Sequence, residues 1–340
     1  MTAQSLPKSL KKKLNLVYSS DQQPGYYRRK LGEEFIYLNE NKDKLTCPKT
    51  LQHIENLVIP PMWNQVWICK LLNGHLQSTG RDAKRRKQYV YHPAWLEYRQ
   101  QQKFSKMIDF VDALPNMRET TNKHLKNNAW NRQKVMALIV KILDNNHIRI
   151  GNKQYAKRNQ TYGLTTLRRK HLNLDDEGLT FSYKAKSNKY RKVSLDNRKL
   201  AKLVKECSEL RGYEVFRYQD AAGNLHNVDS SDVNEYIQEI MGDKFSAKDF
   251  RTWGGTALAV EYFADAQQSI AENPRKKLEP TLVKMVAKEL GNTMSVCRQY
   301  YIHPTILKLI EKGEIPLHTK KKIKGLEECE VIAKQILTSK

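Results

Sequence analysis

The spacing of apolar residues along the chain changes character near residue 98. From about residue 25 to 98 they come in short bursts, EEFIYL, QVWICKL and QYVYH, separated by Gly, Asn and Pro. That is the pattern of strands joined by turns. Beyond the polar stretch YRQQQKFSK the period becomes helical. In NRQKVMALIVKILDNN, residues 131–146, Val135, Leu138, Ile139, Ile142 and Leu143 recur on one face at 3.6-residue spacing, which predicts a core helix. HIRI, GLTTL, LTFSY and RKVSL, the last ending at Leu195, predict short strands. Helices then resume: Ser230 and Ser231 lead into DVNEYIQEIM, RTWGGTALAVEYFADA follows, and TLVKMVAKEL has Pro280 placed for its first turn and Gly291 placed to end it. A lysine-rich segment at 318–324 precedes a last amphipathic helix. The pattern predicts an α+β protein. A small sheet-containing N-terminal domain, residues 1–98, is followed by a mostly α-helical domain, residues 99–340, carrying a small antiparallel sheet.

Composition narrows the partner. Lysine and arginine outnumber the acids 60 to 36, for a formal charge of +24 over 340 residues. Such an imbalance attracts polyanions over long range, with salt-dependent, sequence-indifferent affinity. An anionic membrane is the competing polyanion, but the basic and aromatic residues are interleaved in folded-looking segments and not gathered on one amphipathic helix. Nucleic acid is therefore the expected partner. No apolar run approaches the roughly 18 residues of a membrane span, and MTAQSLPKSLKKKLNLVYSS lacks the apolar stretch of a signal peptide. A soluble intracellular protein is expected, cytoplasmic and nucleoid-associated if bacterial. The five cysteines, Cys47, Cys69, Cys207, Cys297 and Cys329, stand singly, which argues against a disulfide framework or a zinc site.

Two segments carry candidate chemistry. TGRDAKRRKQYVY, residues 79–91, places Arg81, Lys84, Arg85, Arg86 and Lys87 ahead of Gln88, Tyr89 and Tyr91. In a strand Tyr89 and Tyr91 share a face. Cations of this kind fix register on phosphates, and glutamine can bond to adenine in the major groove. The plainer reading is a solvated turn and a strand with two core tyrosines. The second segment is KELGNTMSVCRQYYIHP, residues 288–304, with a tyrosine pair just past a helix stop. A phenol ionises near pH 10, so a nucleophilic tyrosine needs cations beside it. Arg149 in HIRIG, Lys186 in YKAKSNK and Arg251 in KDFRTWGG are candidates, with Asn292 and Tyr301 in the segment itself. Each alone has an ordinary explanation: an exposed strand arginine, a hairpin lysine, a helix-end asparagine, a packing tyrosine.

Together and in this order they resemble the type IB DNA topoisomerase family, above all its short bacterial and poxvirus members. IPPMWNQVWICKLLNGHLQSTGRDAKRRKQYVYHPAW is similar to the family's N-terminal DNA-clamp segment, and IRIGNKQYAKRNQTYGLTTLRRKHL to its segment around the first catalytic arginine. The resemblance covers nearly the whole chain. It implies that Tyr301 is the nucleophile, leaving a 3′-phosphotyrosine and a 5′-hydroxyl. It implies that Arg149 and Arg251 bind the non-bridging phosphate oxygens and that Lys186 protonates the departing 5′-oxygen. Asn292 stands where poxvirus enzymes have a histidine donor. Against the family's GKSGK turn this chain reads AKSNK, with Ala185 and Asn188 in place of glycines, so Lys184 and Lys189 compete with Lys186. Asparagine tolerates positive φ better than most residues. Met294 replaces a common proline, and Tyr300 is a second hydroxyl, although spacing from Asn292 favours Tyr301.

Phosphoryl transfer needs charge neutralisation, an aligned nucleophile and a leaving-group proton, and guanidinium and ammonium groups can supply the first and third. The sequence has no GxxxxGK[ST] loop and no carboxylate or His/Cys cluster with metal-ligand spacing. The expectation is an isomerase that relaxes supercoiled duplex DNA without ATP, metal or other cofactor, as a monomer closing round the duplex as a clamp. A tyrosine recombinase or integrase is the nearest alternative. Such enzymes usually have a histidine three residues before the second arginine, where this chain has Lys248. A basic DNA- or RNA-binding protein with a structural tyrosine pair is the alternative from another class.

Overall fold

The computed structural model describes residues 13–175 and 178–339. Contacts divide the chain into two compact units, the first ending at Lys103 and the second beginning at Phe104.

In the first unit β1 (Tyr26–Leu31), β2 (Glu34–Leu38), β3 (Asn64–Ile68), β4 (Leu76–Arg81) and β5 (Lys87–Tyr91) form an antiparallel sheet of order β2-β1-β3-β4-β5. Helix α1 (Pro48–Asn56) packs Ile54 against Val66 and Ile68. The strands expected from the apolar bursts are β2, β3 and β5. Two others were hidden by polarity. YYRRKL, between β2 and β3, is mostly exposed, and LQSTGR is mostly buried although polar. Burial is possible because the polar groups of LQSTGR are bonded: Ser78 Oγ donates to Trp67 O at 2.7 Å and Gln77 Nε2 to Gly74 O at 2.6 Å. Arg28 of β1 donates to the carbonyls of Ile59, Pro60 and Trp63 at 3.0, 2.8 and 2.8 Å, holding the proline-rich loop.

The stretch YRQQQKFSK, where the sequence suggested a boundary, is helical as far as Ser105 in α2 (Pro93–Ser105), and the division after Lys103 falls within that helix. Gln, Arg and Lys are good helix formers, so polarity alone does not break the turn.

The second unit is mostly helical. It contains α3 (Met107–His124), α4 (Arg132–Asn146), α5 (Lys153–Asn159), α6 (Arg198–Ser208), α7 (Ser230–Met241), α8 (Ala247–Glu261), α9 (Phe263–Glu272), α10 (Leu278–Leu290), α11 (Met294–Tyr300), α12 (Pro304–Lys312) and α13 (Glu328–Thr338). A small antiparallel sheet joins β6 (Leu172–Asp175), β7 (Gly178–Lys184) and β8 (Tyr190–Leu195), and β9 (Arg217–Gln219) pairs with β10 (Leu225–Asn227). The protein is thus α+β, as its periodicity predicted. Helix α4 is the centre of the core, with every residue from Lys134 to Val140 buried together with Ile142 and Leu143. Asn131 starts it by accepting from Lys134 N.

Two expected strands are absent. HIRI has no ladder, and GLTTL forms a 3₁₀ turn at Leu164–Thr166. The two segments instead clasp one another through their backbones: Leu164 N donates to Arg149 O and Thr165 N to Ile150 O, both at 2.8 Å, while Thr165 Oγ1 donates to Ile150 O at 3.0 Å. Asp229, one residue earlier than expected, caps α7. It accepts from Ser231 N and Asp232 N, and Asp232 answers to Asp229 N. RTWGGTALAVEYFADA is two helices, broken at Tyr262. Pro280 lies in the first turn of α10, and Gly291 ends it in the left-handed region at φ 59°.

A buried ion cluster ties the last helix to the core. Arg118 pairs with Asp144 at 2.8 Å and Glu330 at 2.6 Å, and Glu330 also accepts from Trp253 Nε1 at 2.9 Å. This joins α3, α4, α8 and α13.

Candidate active site

The end of α10 collects the cations. A helix C-terminus leaves carbonyls unsatisfied and carries partial negative charge. Here three arginines from distant parts of the chain take those carbonyls. Arg191 of β8 donates to Glu289 O at 2.7 Å and Leu290 O at 2.8 Å. Arg251 of α8 donates to Leu290 O at 3.0 Å, and Arg149 reaches Gly291 O at 3.4 Å. Arg149 also donates to Asn292 Oδ1. Asn292 follows Gly291 in the turn to α11, and Thr293 caps α11 by accepting from Val296 N. Tyr301 then stands at the end of α11.

Each position has a local cause. His147 ends α4 in the left-handed region at φ 50°, which turns the chain so that Arg149 leaves the helix axis. Gly163 crosses behind it so closely that a Cβ there would sit 2.6 Å from Arg149 O. Arg251 is 3% exposed in the second turn of α8, and also donates to His147 O. Gly255, one turn on, faces Tyr301: a Cβ would lie 2.8 Å from Tyr301 Cβ and 2.9 Å from Tyr301 O. Thr256 Oγ1 donates to Tyr301 O and accepts from His303 N, both at 3.1 Å.

This contact gives a stability prediction. Gly255→Ala improves helix propensity by up to about 1 kcal/mol, but the clash involves a backbone oxygen that cannot swing away. Overpacking costs typically about 1–3 kcal/mol, so the variant should unfold at lower urea concentration than the parent. Equal or greater stability would show that α8 and Tyr301 pack more loosely than described.

The electrostatics ease ionisation of Tyr301. Burial opposes ionisation of Tyr301, but the charge and hydrogen bond of Arg251, with Arg149 and Lys248 behind it, outweigh burial and bring the hydroxyl below the ordinary tyrosine value. The Arg251 guanidinium lies 5.3 Å from the Tyr301 ring centroid. Burial, then Arg149, pushes Arg251 down from the usual arginine value; burial does the same to Arg149. Burial and Arg251 hold His147 down to about 4, so its imidazole is neutral. Arg251 Nε and Asn292 Nδ2 are buried donors with no hydrogen-bond partner among the described residues. Buried unmet donors are costly, and phosphate oxygens are acceptors that suit both.

Four of the five positions singled out by sequence, Arg149, Arg251, Asn292 and Tyr301, are thus brought together. Lys186 is not. It lies exposed in the 3₁₀ turn Lys186–Asn188 between β7 and β8. Ser187 and Asn188 there adopt φ of 64° and 60°, so asparagine does take the left-handed conformation left by the missing glycine, while Ala185 is extended at φ −93°. Tyr300 is 40% exposed on α11. Sequence reasoning missed Arg191, His147, Gly254, Gly255 and Thr256. The WGGT run was the available signal, since paired glycines inside a helix suggest close approach; Gly254 packs on the His147 ring.

In the first unit the candidate groove residues are largely engaged with one acid. Asp82 accepts from Lys84 N and Arg86 N at 2.9 Å, Arg86 Nε at 2.7 Å and Gln88 Nε2 at 3.0 Å. The Arg86 bond, ahead of the opposing burial, holds the Asp82 carboxyl down to about 2. Arg81 bonds Gln65 Oε1 and Arg85 O. Tyr89 and Tyr91 do share a face, stacked with centroids 5.9 Å apart, Tyr89 48% exposed and Tyr91 half-buried.

Two guanidinium groups, Arg251 and Arg149, and the primary amide of Asn292 are thus gathered beside the one phenol of Tyr301. The chain belongs to the DNA topoisomerase I family: residues 86–328 match the catalytic core of eukaryotic DNA topoisomerase I, and residues 34–82 match the N-terminal domain of bacterial DNA topoisomerase IB. DNA topoisomerase 1B of Acanthamoeba polyphaga mimivirus is 28% identical over 296 residues, 85% of this chain and 88% of that protein. DNA topoisomerase 1B of vaccinia virus (strain Copenhagen) is 24% identical over 291 residues, 84% and 89% of the two chains. In three dimensions the XerH site-specific recombinase bound to its difH substrate overlaps 57% of this chain and 50% of its own, with TM-score 0.34 and 18% identity, a likeness too slight to carry an argument.

Proposed function

We propose that Tyr301 is the group through which this type IB DNA topoisomerase cuts and reseals one strand of duplex DNA. The phenol loses its proton to solvent and its oxygen bonds to phosphorus. The bond from phosphorus to the 5′-oxygen breaks, the electron pair stays on that oxygen, and a proton from the Lys186 ammonium caps it as a hydroxyl. Reversal reseals the strand and returns the proton to Lys186. Arg149, Arg251 and the Asn292 amide neutralise the non-bridging oxygens, where charge builds in the transition state. One phosphodiester replaces another, so no nucleotide need be spent. Arg81, Lys84, Arg86, Gln88, Tyr89 and Tyr91 contact the duplex, with Arg86 and Gln88 exchanging Asp82 for DNA. The reacting groups come from one chain, so a monomer suffices, closing on the duplex as a clamp.

The observation that carries this reading is the convergence of Arg149, Arg251 and Asn292 beside Tyr301, with the Arg251 guanidinium 5.3 Å from the tyrosine ring centroid and its charge lowering the hydroxyl's value in spite of burial. The experiment is relaxation of supercoiled plasmid in EDTA without nucleotide. Both positive and negative supercoils should relax; dependence on a divalent ion or a specific recombination site would contradict the scheme. A pH profile adds a second check. The nucleophile is the deprotonated form, so single-turnover cleavage should rise with pH. With the Tyr301 value lowered, it should level off below the roughly pH 10 of an ordinary tyrosine. A rise that continues beyond that point would remove the cationic activation.

A further inference from the structure

The general acid of this scheme stands on a hairpin turn, exposed, while the other groups are held at the end of α10. One residue links the two. Arg191 is on β8, paired across the hairpin with Tyr183, two residues beyond Lys189, which closes the turn by accepting from Ala185 N at 2.7 Å. Its guanidinium spans from the hairpin to Glu289 O and Leu290 O. Those carbonyls immediately precede Gly291 and Asn292. The fit is close: a Cβ on Gly291 would lie 2.6 Å from Arg191 Nη1. Two charge-assisted bonds into one helix terminus are short and directional. Leu290 O accepts from Arg251 as well, so the same atom anchors the hairpin and a phosphate-binding arginine.

We infer that Arg191 is a positioning residue that registers the Lys186 hairpin on the Asn292 turn, so that the ammonium meets the 5′-oxygen when DNA is bound. The inference rests on the role of Lys186 given above. Arg191 touches neither the phosphate nor the leaving oxygen in this scheme. Its effect should therefore be confined to the step that needs a proton, which a purely structural role would not produce.

The test uses the full chain and two duplexes that differ at the scissile bond, one with the natural 5′-oxygen and one with a bridging sulfur, which leaves without a proton. Arg191→Ala should slow single-turnover cleavage of the oxygen duplex by about 10- to 100-fold, below the roughly 10²–10⁴-fold worth of a general acid because the acid is misplaced and not removed. It should cleave the sulfur duplex within a few-fold of the parent and bind DNA normally, and Arg191→Lys should fall between. Equal slowing on both duplexes, or none on either, overturns the inference. Thermal melting is recorded alongside. Should Arg191→Ala fail to fold, the ratio of the two rates in Arg191→Lys decides in the same way. A parent enzyme that forms no tyrosine adduct, or a Lys186→Ala variant that sulfur does not rescue, instead refutes the underlying role assignments.

Discussion

Tyr301→Phe is expected to abolish the covalent DNA adduct and plasmid relaxation together, while leaving folding and duplex affinity nearly unchanged. The phenyl ring keeps the packing against Gly255 and the cation contact with Arg251; what is removed is one polar oxygen near the guanidinium. Losing a polar contact of that kind costs about 1–3 kcal/mol of stability, visible in a melt but far from unfolding a unit with this core. The chemistry has no fallback, because carbon cannot replace the attacking oxygen. The measurement is a denaturing gel after incubation with labelled duplex, beside a binding titration. Adduct persisting in the variant would move the nucleophile to Tyr300, which is more exposed and one residue away.

Arg251→Ala should produce the second largest effect, a loss of about 10²–10³-fold in single-turnover cleavage, the size of a missing donor to a developing oxyanion. A guanidinium has five N–H donors. Arg251 commits one to His147 O and one to Leu290 O, and its guanidinium lies 5.3 Å from the Tyr301 ring centroid. The remainder, including the unpartnered Nε, are available to phosphate. Arg251→Lys should not restore the rate, since one ammonium cannot span two carbonyls, a phenol and a phosphate oxygen. The pH profile should also move. Arg251 is the leading group lowering Tyr301, so its removal should shift the rise of cleavage to higher pH. Cleavage within about fivefold of the parent, with an unmoved profile, would take Arg251 out of the chemistry.

Much of this was readable in one dimension. The burial of α4, the capping glycine at 291 and the left-handed Asn188 follow from side-chain size and backbone sterics, which are local properties. The five positions proposed for the chemistry came from the family resemblance, and the fold gathers four of them, Arg149, Arg251, Asn292 and Tyr301. Elsewhere a local signal was overruled. YYRRKL and LQSTGR are strands despite their polarity because adjacent strands meet their hydrogen bonds, from hairpin partners to Ile68, which pairs with Tyr26. HIRI and GLTTL have strand-like composition yet bond to each other as a clasp. YRQQQKFSK is helical where a change of polarity suggested a break.

Arg191 shows the boundary most clearly. In the sequence it is one basic residue in a lysine-rich hairpin, with nothing to separate it from Lys189 or Lys192. The sequence by itself determined the α+β class, the charge that draws the chain to polyanions, and the kinds of side chain at the site. Only the tertiary structure decided which cations meet: three arginines, from residues 149, 191 and 251, converge because the carbonyls at the end of α10 have no partners of their own. Side-chain chemistry is written residue by residue, whereas an unsatisfied helix end acquires its partners only when distant segments fold against it.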